Sequence, residues 1–324
     1  MHVLLVNQSP IPVFAYGGTE RVIWDLGKTL TRMGHRVSYL VPAGSHCDFA
    51  QVIPIQEGKP WEEQISADVD IAHFQFNPHI ELDRPYLVTE HGNARKVKPL
   101  PRNTNFLSRN HAKRYGSDQF VYNGLDWEAY GPVDFEQPRP RYHFLGKAAW
   151  SVKNVRGAIK VAKLADVELD VLGGDRIQFK RGFRWTLSRK VHFHGMVGGV
   201  QKCRLLNASQ GMIFPVRWHE PFGLAVIESL YFGCPVFATP YGALPELVPA
   251  ECGVLSAHAG ELAAAVRANH FDRRACHQHV LTHFSAERMA RDYLRLYERI
   301  ISGEQLHSSQ PFILEPARNL PWHT

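Results

Sequence analysis

The sequence predicts an α/β protein of two doubly wound domains, each a parallel sheet clothed by helices. Three observations predict it. Short apolar runs alternate with helical patterns from the first residues onward, the rhythm of repeated βα units. The rhythm breaks at residues 131–142, Gly-Pro-Val-Asp-Phe-Glu-Gln-Pro-Arg-Pro-Arg-Tyr, which carry three prolines and no apolar periodicity and read as an interdomain connection. It then restarts, and 324 residues suffice for two hydrophobic cores.

In chain order, Val3 to Val6 reads as a buried strand rather than a signal peptide, being short, without a basic leader and followed by polar Asn7-Gln8-Ser9. Gly17-Gly18-Thr19-Glu20 enters a helix through Leu30, and Arg36 to Val41 completes a βαβ unit. Further strands are expected at Val69 to Phe74, Tyr86 to Thr89 and near Phe120 to Tyr122. In the second half, Phe144-Leu145-Gly146 begins the rhythm again, Val155 to Leu164 is helical, Leu169 to Leu172 and Val191 to Phe193 are strands, Gly211 to Pro215 leads to the segment around Glu220, and Val236 to Ala238 is one more strand. Ser285 is placed to cap a long helix through Ile301, and the last twenty or so residues, rich in Pro, Ser and His, read as a tail or a strap packed on the surface. Two such domains predict a ligand cleft between them.

Hydrophobic residues at 44% and charged residues at 21% describe a soluble globular protein, and no apolar run approaches the roughly 20 residues of a membrane span. The five cysteines are odd in number, widely spaced and without a Cys-x-x-Cys pair, which fits a reducing cytoplasm. The formal charge of +6 is uneven: residues 139–204 hold fifteen Lys or Arg against four acids, whereas residues 1–138 hold thirteen against sixteen. A local positive field suits a phosphorylated small molecule, an anionic membrane or nucleic acid.

Glu220 and Glu228 constrain the chemistry most, with seven residues between them in His219-Glu220-Pro221-Phe222-Gly223-Leu224-Ala225-Val226-Ile227-Glu228. Pro221 presets φ and Gly223 permits close backbone approach, so the amides of Phe222, Gly223 and Leu224 are expected at a helix N-terminus that favours oxygen-rich ligands. Glu228, deep in an apolar helix, calls for partners such as the vicinal hydroxyls of a sugar or ribose. A plain amphipathic helix with two surface glutamates is the alternative. Lys147 and Lys153 follow the first strand of the second half, where two ammonium groups suit a pyrophosphate. Gly17-Gly18 before a helix fits a phosphate cradle or a simple turn.

Other groupings are weaker. Asp68-Val69-Asp70 opens a strand, His192-Phe193-His194 alternates as a strand does, and Cys276, His279 and His283 share a helical face without a closing ligand, so no metal site is assigned. Arg95 to Arg114 holds seven Lys or Arg and no acid, and Arg176 to Lys190 mixes six with Phe179, Phe183 and Trp185. Such stretches suit an anionic membrane surface or a solvated face.

Taken together, the motifs resemble the family 4 glycosyltransferases, retaining enzymes of the GT-B fold. The resemblance spans nearly the whole chain: Gly17-Gly18, Thr89-Glu90-His91-Gly92, Val121-Tyr122-Asn123-Gly124-Leu125-Asp126, Gly146-Lys147 with Lys153, the Glu-x7-Glu segment, Gly233-Cys234-Pro235-Val236 and Gly242-Ala243-Leu244-Pro245-Glu246. It implies an acceptor-binding Rossmann-like domain over 1–138 with a helix at about 286–302 crossing back to it, a nucleotide-sugar domain over 139–285, and a tail at 303–324. It further implies that Glu228 holds the donor ribose, Glu220 and the Phe222 to Leu224 amides the sugar, and Lys147 with Lys153 the departing diphosphate. His91 would reach the donor sugar or the reacting centre, Gly17 and Gly18 would admit the phosphates, and His194 to Val197 would receive the base.

Two departures stand out. Lys147 replaces the usual Arg and loses its bidentate fork, and the segment after Gly173-Gly174 is basic and aromatic where relatives are acidic and helical. The implied activity is metal-independent, cofactor-free transfer of a hexose from a nucleoside-diphosphate sugar, UDP before GDP, to an acceptor hydroxyl, with front-face attack and retention. Domain closure would exclude water. A sugar-nucleotide epimerase or hydrolase and a non-catalytic sugar-nucleotide binder are the alternatives. The expected setting is cytoplasmic, with peripheral contact at the inner membrane face and no nucleic-acid partner.

Overall fold

Runs of β-branched residues and leucines leave no polar face, so strands made of them are stable only when covered on both sides. The N-terminal run does this as β1 (His2–Val6), buried along its whole length. The computed structural model describes residues 1–12, 17–179, 183–316 and 318–324. β1 lies in a six-stranded parallel sheet with β2 (Arg36–Val41), β3 (Gln51–Pro54), β4 (Ile71–Phe74), β5 (Tyr86–Thr89) and β6 (Thr104–Asn105), ordered β3-β2-β1-β4-β5-β6. The helices here are α1 (Gly18–Arg32), α2 (Trp61–Gln64) and α3 (Arg109–Arg114). Strand order reverses between β1 and β4, the switch point where ligands of open α/β sheets bind beyond the strand C-termini.

This sheet belongs to one unit, Met1–Asp126 with Phe284–Pro316; a second unit comprises Trp127–His283 with Ala317–Thr324. The second unit contains β7 (Arg141–Leu145), β8 (Leu169–Leu172), a two-stranded antiparallel ribbon of β9 (Ile177–Gln178) and β10 (Arg184–Trp185), then β11 (Val191–Phe193), β12 (Ser209–Phe214), β13 (Val236–Ala238) and β14 (Gly253–Leu255). Its main sheet is parallel and ordered β11-β8-β7-β12-β13-β14, the same winding as the first, with its reversal between β7 and β12. Its helices are α4 (Val155–Ala165), α5 (Gly199–Asn207), α6 (Leu224–Tyr231), α7 (Leu244–Leu247), α8 (Ala259–Ala268) and α9 (Arg273–His283).

The long helix α10 (Ala286–Ile301) packs on the first unit. Ser285 caps it as expected, its hydroxyl accepting the Arg288 amide at 3.2 Å. Met289, Ala290, Tyr293, Leu296, Tyr297 and Ile300 line its buried face at steps of three and four. The Tyr297 hydroxyl meets His73 Nδ1 at 2.8 Å, His73 Nε2 meets Thr89 Oγ1 at 2.8 Å, and Thr89 meets the Tyr293 hydroxyl at 3.1 Å. These bonds satisfy polar atoms that burial would otherwise penalise, and so tie α10 to β4 and β5.

Several expectations are corrected. β3, β6, β9, β10 and β14 carry no strand signal of their own, being partly buried or only two or three residues long. No strand covers Phe120 to Tyr122: Phe120 makes a single bridge to Phe106 and the ladder stops. β4 begins at Ile71, since Val69 closes a turn on Ser66 and the Asp70 carboxylate accepts the His2 amide at 2.6 Å. The proline-rich stretch is more than a connection: Arg139 is buried and donates to the carbonyls of Asp134, Ser209 and Phe232. The end of the tail behaves as the strap reading expects, its Leu320 and His323 amides donating to the Arg217 and Ala257 carbonyls of the second unit.

Three core histidines are held neutral by burial. His73, His111 and His143 lie near pKa 3, from an ordinary 6.5. The unfolded chain takes up protons below about 6.5 and the native chain does not. Each therefore withdraws up to about 1.4 kcal/mol of stability per pH unit as pH falls toward 3. Asp25, raised to about 6 mainly by burial, acts oppositely, because only the folded form holds its proton between about 4 and 6. Burial also lowers His35, His91 and His279 and raises Glu90, so depressed histidines outnumber raised acids and melting temperature should fall from pH 7 to pH 5; a flat profile would contradict the assignment.

Candidate functional site

In the second unit, the loops after β7 and β12 emerge beside the switch point and carry most of the expected residues. The first loop holds Gly146, Lys147, Trp150 and a 3-10 turn at Ser151–Lys153; the second holds Trp218, Glu220, Phe222 and Gly223 before α6. Lys153 Nζ donates to Glu220 Oε2 at 2.7 Å, and Trp218 Nε1 donates to the same oxygen at 2.8 Å. Lys153 is 9% exposed and Glu220 7%. The ammonium also lies 5.3 Å from the Phe214 ring centre and 4.9 Å from that of Trp218, two faces that stabilise a cation shielded from water. An ammonium has three N–H bonds, and only Glu220 takes one among the described residues. Glu220 Oε1 likewise has no partner there. The pair therefore presents both donors and an acceptor to a ligand.

Backbone geometry places Glu220. It bridges to Gly242, and the Ala243 amide donates to its carbonyl at 2.9 Å. Gly242 has φ 66°, and a Cβ there would stand 2.2 Å from the Glu220 nitrogen, so only glycine fits. Gly223, at φ 115°, is the N-cap of α6 without a side-chain cap. The Phe222 side chain is core and Leu224 is half-buried, so amides are what this turn offers a ligand.

Glu228 lies one turn deeper on α6 and is 2% exposed. Its Oε1 accepts from the Tyr130 hydroxyl at 2.6 Å and from Lys202 Nζ at 2.5 Å, and that ammonium lies over the Tyr130 ring at 5.2 Å. The surface-glutamate alternative is thus excluded for both acids. Lys202 and Tyr130 were missed: nothing local separates Lys202 from other lysines of the basic stretch. Trp218, two residues before Glu220 on a loop, was findable. Lys147 is half-buried with its ammonium 5.2 Å from the Trp150 ring centre. His194 Nε2 bonds Asp170 Oδ1 at 2.8 Å.

Gly17, Gly18 and His91 belong to the first unit. Gly17 caps α1 and Gly18 starts it. His91 bonds Gln75 Oε1 through Nε2 at 2.8 Å, and burial lowers its pKa to about 4. An amide oxygen only accepts, so His91 is neutral with its proton on Nε2. Its loop is pinned by the Gly92 carbonyl, which accepts from His111 Nε2 at 2.8 Å and the Tyr115 hydroxyl at 3.2 Å.

The weaker groupings resolve into local pairs. Asp68 meets Arg36 at 2.6 Å, and His192 meets Glu168 at 3.0 Å. Part of the stretch Arg176 to Lys190, residues 180–182, lies outside the described residues. In the rest, Arg176 and Arg184 turn inward over the Phe193 ring at 5.7 and 4.9 Å, while Phe179, Phe183, Trp185 and Leu187 are exposed. No described helix is long and apolar enough to cross a membrane.

Residues 139–269, the core of the second unit, match the family model described as Glycosyl transferases group 1. No curated protein matches the chain. The whole architecture is the GT-B fold of solved glycosyltransferases. AviGT4, a glycosyltransferase involved in avilamycin A biosynthesis, is 22% identical with a TM-score of 0.75, covering 93% of this chain and 98% of that one. A sucrose-phosphate synthase from Thermosynechococcus elongatus is 19% identical at 0.73, covering 94% and 100%. Alr3699/HepE from Anabaena, solved with UDP and glucose, is 14% identical at 0.62, covering 91% and 99%.

Replacing Lys202 with Met should leave the buried Glu228 carboxylate without this counter-cation and cost about 3–5 kcal/mol in denaturant unfolding. The double variant Lys202→Met/Glu228→Gln should recover much of that loss. Additive costs would show that the pair is not coupled.

Proposed function

We propose that this protein is a retaining glycosyltransferase of family 4 that moves a hexose from a nucleoside-diphosphate sugar to the hydroxyl of a glycan, a lipid-linked sugar or a small molecule. The observation that carries the reading is the convergence of Lys153, Glu220 and the α6 N-terminus beside the switch point of the second unit. The family match over residues 139–269 supports sugar transfer. Alr3699/HepE was solved with UDP-glucose, which supports a uridine donor ahead of a guanosine one.

In this reading Glu228, its charge already balanced by Lys202, accepts the ribose hydroxyls, and Glu220 Oε1 accepts a hydroxyl of the transferred sugar. The remaining N–H bonds of Lys153, with Lys147, face the diphosphate. The acceptor oxygen forms its bond to the anomeric carbon on the face that the diphosphate leaves, and the acceptor proton passes to the departing phosphate oxygen. These residues act through orientation and charge stabilisation, and no step needs a metal ion. Neutral His91, fixed by Gln75, would serve the reaction as a hydrogen-bonding group rather than as a cation.

Thermal shift across UDP, GDP, ADP and dTDP sugars should single out one nucleotide. With that donor, Glu228→Gln should chiefly weaken binding, by about tenfold or more, whereas Glu220→Gln and Lys153→Ala should chiefly slow nucleotide release, by about a hundredfold. Unchanged release in both of the latter sinks the proposal. Release without any acceptor would favour a hydrolase or epimerase, and tight binding without turnover a sugar-nucleotide binder.

We also propose peripheral contact with an anionic membrane, carried by the outward aromatic face of the β9–β10 ribbon. The Phe179 and Phe183 rings lie 5.8 Å apart, tilted at 48°, at 77% and 59% exposure. Sedimentation with phosphatidylserine vesicles should fall about tenfold on Phe179→Ala/Trp185→Ala. Absence of pelleting by the unaltered protein at low salt would refute it.

A further inference from the structure

The first unit has its own cavity at the same topological position as the Lys153–Glu220 site in the second. It measures about 540 Å3, within the roughly 300–1,000 Å3 of ligand pockets. It is lined from the loops that follow β1, β4 and β5, at the C-terminal edge where this sheet reverses its order. Its chemistry divides in two. Asn77 and Glu90, beside the Phe76 ring, make a surface for hydroxyl groups, and Glu90 spends one oxygen on the Gly92 amide at 3.0 Å. Arg95, Lys96 and Lys98 supply positive charge within four residues.

None of these three cations has a hydrogen bond or ion pair among the described residues. Glu90 is the one acid on the lining against these three cations, and the sequence offers no other from His91 through Ser117. Like charges this close repel, and the cost is relieved when an anion arrives from outside. On the same lining, exposed His79 holds φ 58°, a left-handed turn that His adopts more readily than most non-glycine residues. The Asn77 side chain fixes it by accepting the His79 amide at 2.8 Å.

We infer that this cavity receives an acceptor that is itself anionic: a hydroxylated ring carrying a phosphate or a carboxylate, its hydroxyls on Asn77 and Glu90 and its charge on Arg95, Lys96 and Lys98. This rests on the proposed transfer reaction and names the class of its acceptor. The two ligand sites then differ in kind, a buried ion pair for the donor and exposed cations for the acceptor.

The test is calorimetric titration of the full chain, with and without UDP, using neutral hexoses, their 6-phosphates, the matching hexuronates, and inorganic phosphate alone. The variant is Lys96→Glu/Lys98→Glu, whose side chains are exposed and outside the donor site. Hexose phosphates or hexuronates should bind about tenfold or more tightly than neutral hexoses, and more tightly than inorganic phosphate. That advantage should shrink with added salt and vanish in the variant, while UDP affinity stays unchanged. Equal affinity for charged and neutral sugars overturns the inference, as does inorganic phosphate matching the sugar phosphates, or a variant that keeps the preference. Failure of UDP to bind, with anionic-sugar discrimination intact, would count against the transfer reaction and leave the anion pocket standing.

Discussion

A carboxylate shut away from water must have a charged or hydrogen-bonding partner, and the second unit is organised around that requirement. Glu220 and Glu228 are both nearly buried, and each has a lysine within salt-bridge distance. The lysines come from different elements, Lys153 from the loop after β7 and Lys202 from α5. Each pair therefore binds two parts of the unit together across the start or the body of α6. The cost of desolvating four charges is offset only while all four stay in register. The same requirement leaves Lys153 with spare N–H bonds and Glu220 with a spare oxygen, so one interaction serves stability and ligand binding alike.

The first unit solves a comparable problem without charge. His73, Thr89, Tyr293 and Tyr297 form a neutral network between the sheet and α10. Burial keeps the histidine uncharged, and hydroxyls on either side satisfy its ring nitrogens. His111 repeats the device a short distance along, using its ring to hold the Gly92 carbonyl and so the loop that bears His91. Rigid placement of a loop residue is thereby achieved by core side chains, the arrangement expected when loops carry function and scaffolds carry position.

The basic character of the chain also takes on distinct meanings by location. Arg176 and Arg184 are structural, spending their guanidinium groups on carbonyls and on the Phe193 face. Lys153 and Lys202 neutralise buried acids. Arg95, Lys96 and Lys98 do neither, and stand at a cavity mouth. A charge count treats all of these alike; only their surroundings separate them.

Much of the architecture is legible in the amino-acid order. β1, β5, β8 and the capped helix α10 follow from apolar runs and from Ser285, because local sequence dictates both their conformation and their need for cover. The pairing of Glu220 with Glu228 on one helix entrance, and the importance of Gly223, also follow from spacing and φ alone. What tertiary structure decided is which charges meet. Lys202 lies 26 residues from Glu228, and Lys153 lies 67 residues from Glu220. No periodicity links such positions, because parallel strands joined through helices bring together loops that are remote in the chain. The short strands β3 and β6 were decided in the same way, by neighbours in the sheet rather than by their own residues.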